Sequence, residues 1–180
     1  MTKSVFTLST LSIIFLVSSA FMSGDWVVFQ KDNYKILFPS MPSTDSTTTV
    51  TKIGNVTAYN HMYESPETVN DSNLVYGFSV TDYPQKYILS TEKAFLNGFF
   101  DGLVKGVVEN INGKLITTKE IVLKNYPGRE IKVDYGNGTA ILTMRIILVK
   151  ARVFGVQTIS FPGKEINNNS SKFYNSFDIQ

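Results

Sequence analysis

Between Tyr135 and Ser160 the chain has little choice of fold. Asn137-Gly138 stands between two β-branched runs, and Asn-Gly in that place supplies the two positive-φ residues of a type I′ hairpin turn. Beyond it Ala140, Leu142, Met144, Ile146 and Leu148 alternate with Thr139, Ile141, Thr143, Arg145, Ile147 and Val149. One face is wholly apolar and the other mixed, which is the pattern of a central strand covered on both sides. Lys150-Ala151 interrupts the run, and Val153, Phe154, Val156 and Ile159 resume it. A second hairpin and a third antiparallel strand follow, and a sheet has to grow outward from these three.

The remaining strands read from the same alternation. Trp26 to Phe29 and Tyr34 to Phe38 flank a polar turn and predict a first hairpin, stopped by Pro39 and Pro42. Ser46 to Thr51 is β-branched but polar on both faces, which suits a sheet edge. Gly54-Asn55 turns it into Val56 to Tyr63. After the polar loop from Glu64 to Asn73, Leu74, Tyr76, Phe78 and Val80 form the next strand, with Gly77 marking a bulge or a close approach. Leu115 to Leu123 alternates too, and Asn125-Tyr126-Pro127-Gly128 predicts a type II turn into a strand from Arg129. Asn169, Ser170 or Ser171 would cap a short last helix that turns Phe173, Tyr174 and Phe177 inward.

One long helix is expected over residues 91–110, capped by Ser90 or Thr91. Phe95, Phe99, Leu103 and Val107 recur at i+4, as do Leu96, Phe100, Val104 and Val108, giving a broad apolar face. Gly98, Gly102 and Gly106 form a third row on its flank. Each interior glycine costs about 1 kcal/mol relative to alanine, so the row needs a reason, and the expectation is close packing of this flank against another backbone. The fold class that results is α+β: one antiparallel sheet with a long helix packed on it and a short C-terminal helix.

Met1 to Ala20 has one cation, Lys3, then an apolar run from Leu11 to Val17, then Ser18-Ser19-Ala20. Those are the three parts of a secretory signal peptide. Cleavage is expected after Ala20, leaving residues 21–180 as a single domain, secreted or periplasmic, without a membrane span. No cysteine is present, so neither a disulfide framework nor a thioether lipid anchor is available. Removing the leader takes one cation from 17 and no anion from 15, a net charge of +1. No basic field exists for nucleic acid.

The chain carries no nucleophile elbow, phosphate loop, dinucleotide fingerprint or paired histidine, and no cofactor is expected. His61, the only histidine, shares a strand face with Tyr59 and Tyr63. A single imidazole without a second His or a Cys makes no ordinary zinc site, and its expected place is a half-exposed sheet face. Arg145, inside the most apolar strand, offers a planar fork for a carboxylate or phosphate, or else an ion pair with Asp134, Glu130 or Asp101.

Tyr34-Lys35-Ile36-Leu37-Phe38-Pro39-Ser40-Met41-Pro42 resembles the opening of PsbP-like proteins, a strand followed by Phe-Pro and a further Pro. Tyr126-Pro127-Gly128-Arg129-Glu130 and Phe173-Tyr174-Asn175-Ser176-Phe177 resemble segments of exported bacterial proteins of that type. The resemblance implies an antiparallel sheet sandwiched between helices and a non-catalytic role, as in extrinsic subunits of photosynthetic oxygen evolution and small Ran-GTPase-binding import factors. It transfers no binding residues. Two functions are compatible with the residues. In the first, an exported non-enzymatic binding or accessory domain presents Tyr59, His61, Tyr63, Tyr83 and Arg145 to a protein or small ligand. In the second, a hydrolase or a lipid- or sugar-handling enzyme uses His61 with Asp82 or Glu64.

Overall fold

The structure, a computed structural model, describes residues 25–51, 54–84 and 92–180. The expected leader, Tyr87 to Leu89 and the two proposed helix caps Ser90 and Thr91 lie outside them. Seven strands form one antiparallel sheet in the order β3-β4-β5-β9-β8-β7-β6. They are β3 (Ser43–Thr51), β4 (Gly54–Glu64), β5 (Asn73–Asp82), β6 (Lys114–Leu123), β7 (Tyr126–Tyr135), β8 (Ala140–Val149) and β9 (Arg152–Ser160). The residues that alternate most strictly lie at its middle: β8 pairs with β7 from Tyr135↔Ala140 and with β9 up to Val149↔Arg152. Asn137 and Gly138 both take positive φ, and Gly136 does so as well, in the loop that joins β7 to β8.

Two different roofs cover the two faces. Helix α1 (Lys93–Asn110) lays Phe100 and Val104 on Ile131, Val133, Leu142, Ile146, Leu148 and Val153, over β7, β8 and β9. On the opposite face, β1 (Val27–Lys31) and β2 (Tyr34–Phe38) are joined by β10 (Asp178–Ile179) in a small second sheet beside α2 (Asn168–Ser176). Tyr34, Ile36, Phe38, Phe173 and Phe177 there bury Tyr76, Phe78, Phe154 and Val156. The α+β class is as expected; β10 is not, because two residues carry no periodicity to read.

Neither roof spans the sheet. Seven strands at about 4.8 Å spacing are roughly 29 Å across, wider than a helix of about 10 Å with its side chains and wider than three strands with one such helix beside them. Among the described residues each face keeps an uncovered part. On the α1 side it is the β4–β5 part, and on the α2 side the β6–β7 part.

Three local expectations are corrected. The β6–β7 turn is Lys124-Asn125, both at positive φ, and Tyr126, Pro127 and Gly128 already belong to β7, paired with Leu123, Val122 and Ile121. A two-residue turn matches strand twist better than a type II turn does, and Gly128 is needed in the strand because a Cβ there would lie 2.6 Å from the Ile146 carbonyl oxygen. The cap of α2 is Asn167 rather than one of the three following candidates. Its side chain accepts from Ser170 N at 2.8 Å, and Ser170 Oγ accepts from Asn167 N at 3.0 Å, closing a capping box. Finally, among the described residues the glycine flank of α1 has no packing partner: a Cβ built on Gly98, Gly102 or Gly106 would meet none of their atoms outside the helix within 4 Å.

Asn167 also ties α2 to the sheet, since it exchanges hydrogen bonds of 3.0 Å with fully buried Asn73, which in turn donates to Asp71 and to the Tyr76 hydroxyl. Asn167→Ala loses cap and tie together and is expected to lower the unfolding free energy by about 1–3 kcal/mol in urea titrations. Gly98→Ala should raise it by about 1 kcal/mol, because the added methyl meets open space and the helix gains the better former. A destabilised Gly98→Ala protein would mean that the flank is packed after all.

Candidate functional site

The open flank of α1 and the uncovered sheet beside it enclose a groove of about 480 Å³. Gly102 and Gly106 form its rim on the helix, with Leu103, Val107 and Ile111 below them; Ala58, Met62, Leu142, Met144 and Ile159 line the sheet. From Gly102 to Ile111 the helix advances roughly 14 Å at 1.5 Å per residue. Small residues keep the floor low. Gly77 lies beneath the Gln157 side chain, whose Cγ is 2.7 Å from where a Cβ would stand, and Met144 Cε and Ser79 Oγ occupy the equivalent place above Gly155. The bulge or close approach expected at Gly77 is therefore a close approach of a side chain.

Among the described residues the polar side chains in the groove, besides His61, are uncharged: Asn60, Ser79, Thr81, Asn110, Gln157 and the Tyr135 hydroxyl. His61 and Phe78 border it too, but they are opposite each other in the β4–β5 ladder and their rings lie on the other face, stacked 6.1 Å apart. The groove therefore combines apolar walls with amide and hydroxyl groups, and among the described residues no carboxylate, ammonium or guanidinium lines it.

The residues singled out in the sequence are not one site. His61 is 2% exposed, not half-exposed as expected. Its ring sits 4.2 Å from Phe29 by centroid and shares a 2.9 Å hydrogen bond between Nδ1 and Thr44 Oγ1, while Nε2 is buried without a partner among the described residues. The roof strand β1 explains this burial, and periodicity within β4 cannot see a second sheet. Neither acid proposed for it is its partner: Asp82 is held by Arg152 at 2.6 and 3.0 Å, and Glu64 falls on the other face of β4. Among the described residues no cluster of three or more His, Cys, Asp or Glu is placed to hold a metal.

Tyr59 is exposed, with Lys31 Nζ 5.1 Å from its ring centre, and Tyr63 is half-buried against Tyr76 at 6.1 Å. Tyr83 lies on the opposite face, edge-on to Phe99 at 5.5 Å. Arg145 pairs with Glu130 at 2.7 Å, one of the three acids named for it. The groove's signal in the sequence is the row of three helical glycines, which periodicity alone does not distinguish from a packing flank. A second trace was available in Gly77, Ser79 and Thr81, the small and polar positions on one side of β5.

Burial, and then the nearby Lys31 charge, push the His61 imidazole below its usual value. The unfolded chain takes up a proton as pH falls through about 6.5 while the folded one resists it, so this contribution to stability is present above that pH and lost below it. The unfolding free energy should fall between pH 7 and pH 5.5, and His61→Leu should flatten that part of the profile in urea titrations.

No family model matches the chain, and no curated protein does. Among solved structures, cyanobacterial PsbP (CyanoP) from Synechocystis superposes with a TM-score of 0.54 at 10% identity, covering 96% of this chain and 99% of that one. A protein of unknown function from Pseudomonas aeruginosa reaches a TM-score of 0.35 at 11% identity over 79% of this chain and 87% of its own. The chain has a PsbP-like fold.

Proposed function

We propose that this chain is an exported, non-enzymatic binding or accessory domain, and that its ligand is an uncharged, largely apolar small molecule seated in the groove beside α1. The observation that carries the reading is the glycine row. Three glycines cost the helix about 3 kcal/mol in all, and among the described residues no neighbouring backbone occupies the space they leave. That space is continuous with the groove, at Gly102 and Gly106. A cavity of this size with apolar walls and few polar groups is typical of small-ligand sites, and the absence of charge from its lining selects against an ionised ligand, whose desolvation nothing there would offset.

The leader motif supports export, and the PsbP-like fold is compatible with an accessory role. The hydrolytic alternative receives no support from the imidazole, which has Thr44 rather than an acid beside it.

Nile red, a neutral apolar dye, provides the test. Saturable fluorescence enhancement is expected with the parent protein, and Gly106→Leu, which fills the groove while improving helix propensity, should weaken binding about tenfold or more with no loss of thermal stability. Equal binding by parent and variant would refute the groove as the site. In the producing cell, the mass of the exported chain should correspond to a start at residue 21.

A further inference from the structure

On the opposite face, the uncovered β6–β7 part of the sheet holds a second hollow of about 250 Å³. A row of charges crosses it in register: Lys119 of β6 faces Glu130 of β7, which faces Arg145 of β8. Glu130 is spent on its neighbours. Its Oε1 is 2.7 Å from Lys119 Nζ and its Oε2 accepts from Arg145 Nε at 2.7 Å. Burial alone would raise this carboxyl, but the two cations outweigh burial and hold it below its usual value.

The cations are not spent. Arg145 uses only Nε in that pair, and both terminal nitrogens of its guanidinium are without a protein acceptor among the described residues while remaining reachable by solvent. The local sum is two positive charges against one negative. The guanidinium is also held in place: it lies 4.6 Å from the ring centre of Tyr174, a contact that favours a flat, oriented cation. Tyr174 is itself fixed, its hydroxyl donating to the Thr143 carbonyl at 2.7 Å and accepting from Thr158 N at 3.0 Å. Beside these donors the hollow is apolar, walled by Ile121, Leu123, Ile147, Val156 and Phe177.

A solvated ladder of cross-strand charges would need neither the aromatic bed under Arg145 nor the apolar walls. We propose that this cleft is a second binding site, for a small monocarboxylate with an aliphatic or aromatic body: the carboxylate lies on the terminal nitrogens of Arg145, assisted by Lys119, and the body lies between Ile121 and Phe177. A monoanion fits better than a phosphate dianion, because Glu130 shares the cleft and would repel the second charge. The site is independent of the α1 groove, which lies on the other face and has no charge in its lining.

Sodium octanoate, octanamide and octyl phosphate, titrated into the full exported chain and followed through the Ile121 and Ile147 methyl resonances, test it. Octanoate should bind about tenfold or more tighter than octanamide, the share of a charge-assisted pair, and tighter than octyl phosphate. Arg145→Lys, which keeps the charge and the Glu130 pair but loses the fork, should weaken octanoate about tenfold, whereas Gly106→Leu should leave it unchanged. Equal affinity for octanoate and octanamide, equal affinity of the Arg145→Lys protein, or octanoate perturbing the Met144 side of the sheet instead would each overturn the assignment. Loss of Nile red binding with octanoate binding intact would separate failure of the first reading from failure of this one.

Discussion

Everything in this molecule hangs on burying β8 and β9 from both sides at once. A strand that is apolar on alternate faces can be satisfied only if two layers meet across it, and here the layers differ in kind. Phe100 and Val104 of α1 press on Ile146, Leu142 and Val153 from one side, and Tyr34, Phe38 and Phe177 press on Phe154, Val156 and Ile147 from the other. Without either layer a set of large side chains would stand in water, at about 1.5–3 kcal/mol for each one exposed. The hairpins β7–β8 and β8–β9 bring three of the strands together through short local connections, and the pairing of β9 with β5, from Asn73↔Ser160 to Asp82↔Arg152, is the long-range step that completes the centre.

The edges follow a different rule. β3 is nine residues long and exposed along its whole length, yet it reads Ser-Thr-Asp-Ser-Thr-Thr-Thr-Val-Thr and offers almost no apolar surface to a stray strand. Its far half pairs with a part of β4 that, among the described residues, has no partner on its other side, since β4 meets β5 only from Ala58 onward. Cross-strand hydroxyl contacts such as Thr48 with Thr57 at 2.9 Å hold this two-stranded arm. Polar threonine gives extended backbone preference without the aggregation hazard of valine or isoleucine.

How much of this the sequence discloses depends on whether the deciding partner is local. β8, β9, the helix face of α1 and the first hairpin are legible because each repeats its period several times, and the positive-φ demand of Asn137-Gly138 is a property of two adjacent residues. The burial of His61 is not legible in β4, because it depends on Phe29, more than thirty positions away in another sheet. The Gly98, Gly102 and Gly106 row was visible as a cost, but its sign could be read only with the neighbouring space in view. Asn167 lost to its neighbours as a cap because polar residues crowd that loop, and what selects it is the buried amide of Asn73 ninety-four positions earlier. Ion-pair chemistry was more accessible: Arg145 in an apolar strand had to find an acid, and cross-strand register supplied Glu130.

Met144 and Arg145 are consecutive, and β8 sends the first into the groove beside α1 and the second into the cleft beside α2. Their cross-strand neighbours repeat the arrangement, Gln157 on one side and Val156 on the other. The two hollows are therefore back to back, and the wall between them is one pleat of one sheet thick. Because no residue lines both hollows, neighbouring positions of a single strand present an uncharged chamber on one face and a charged one on the other.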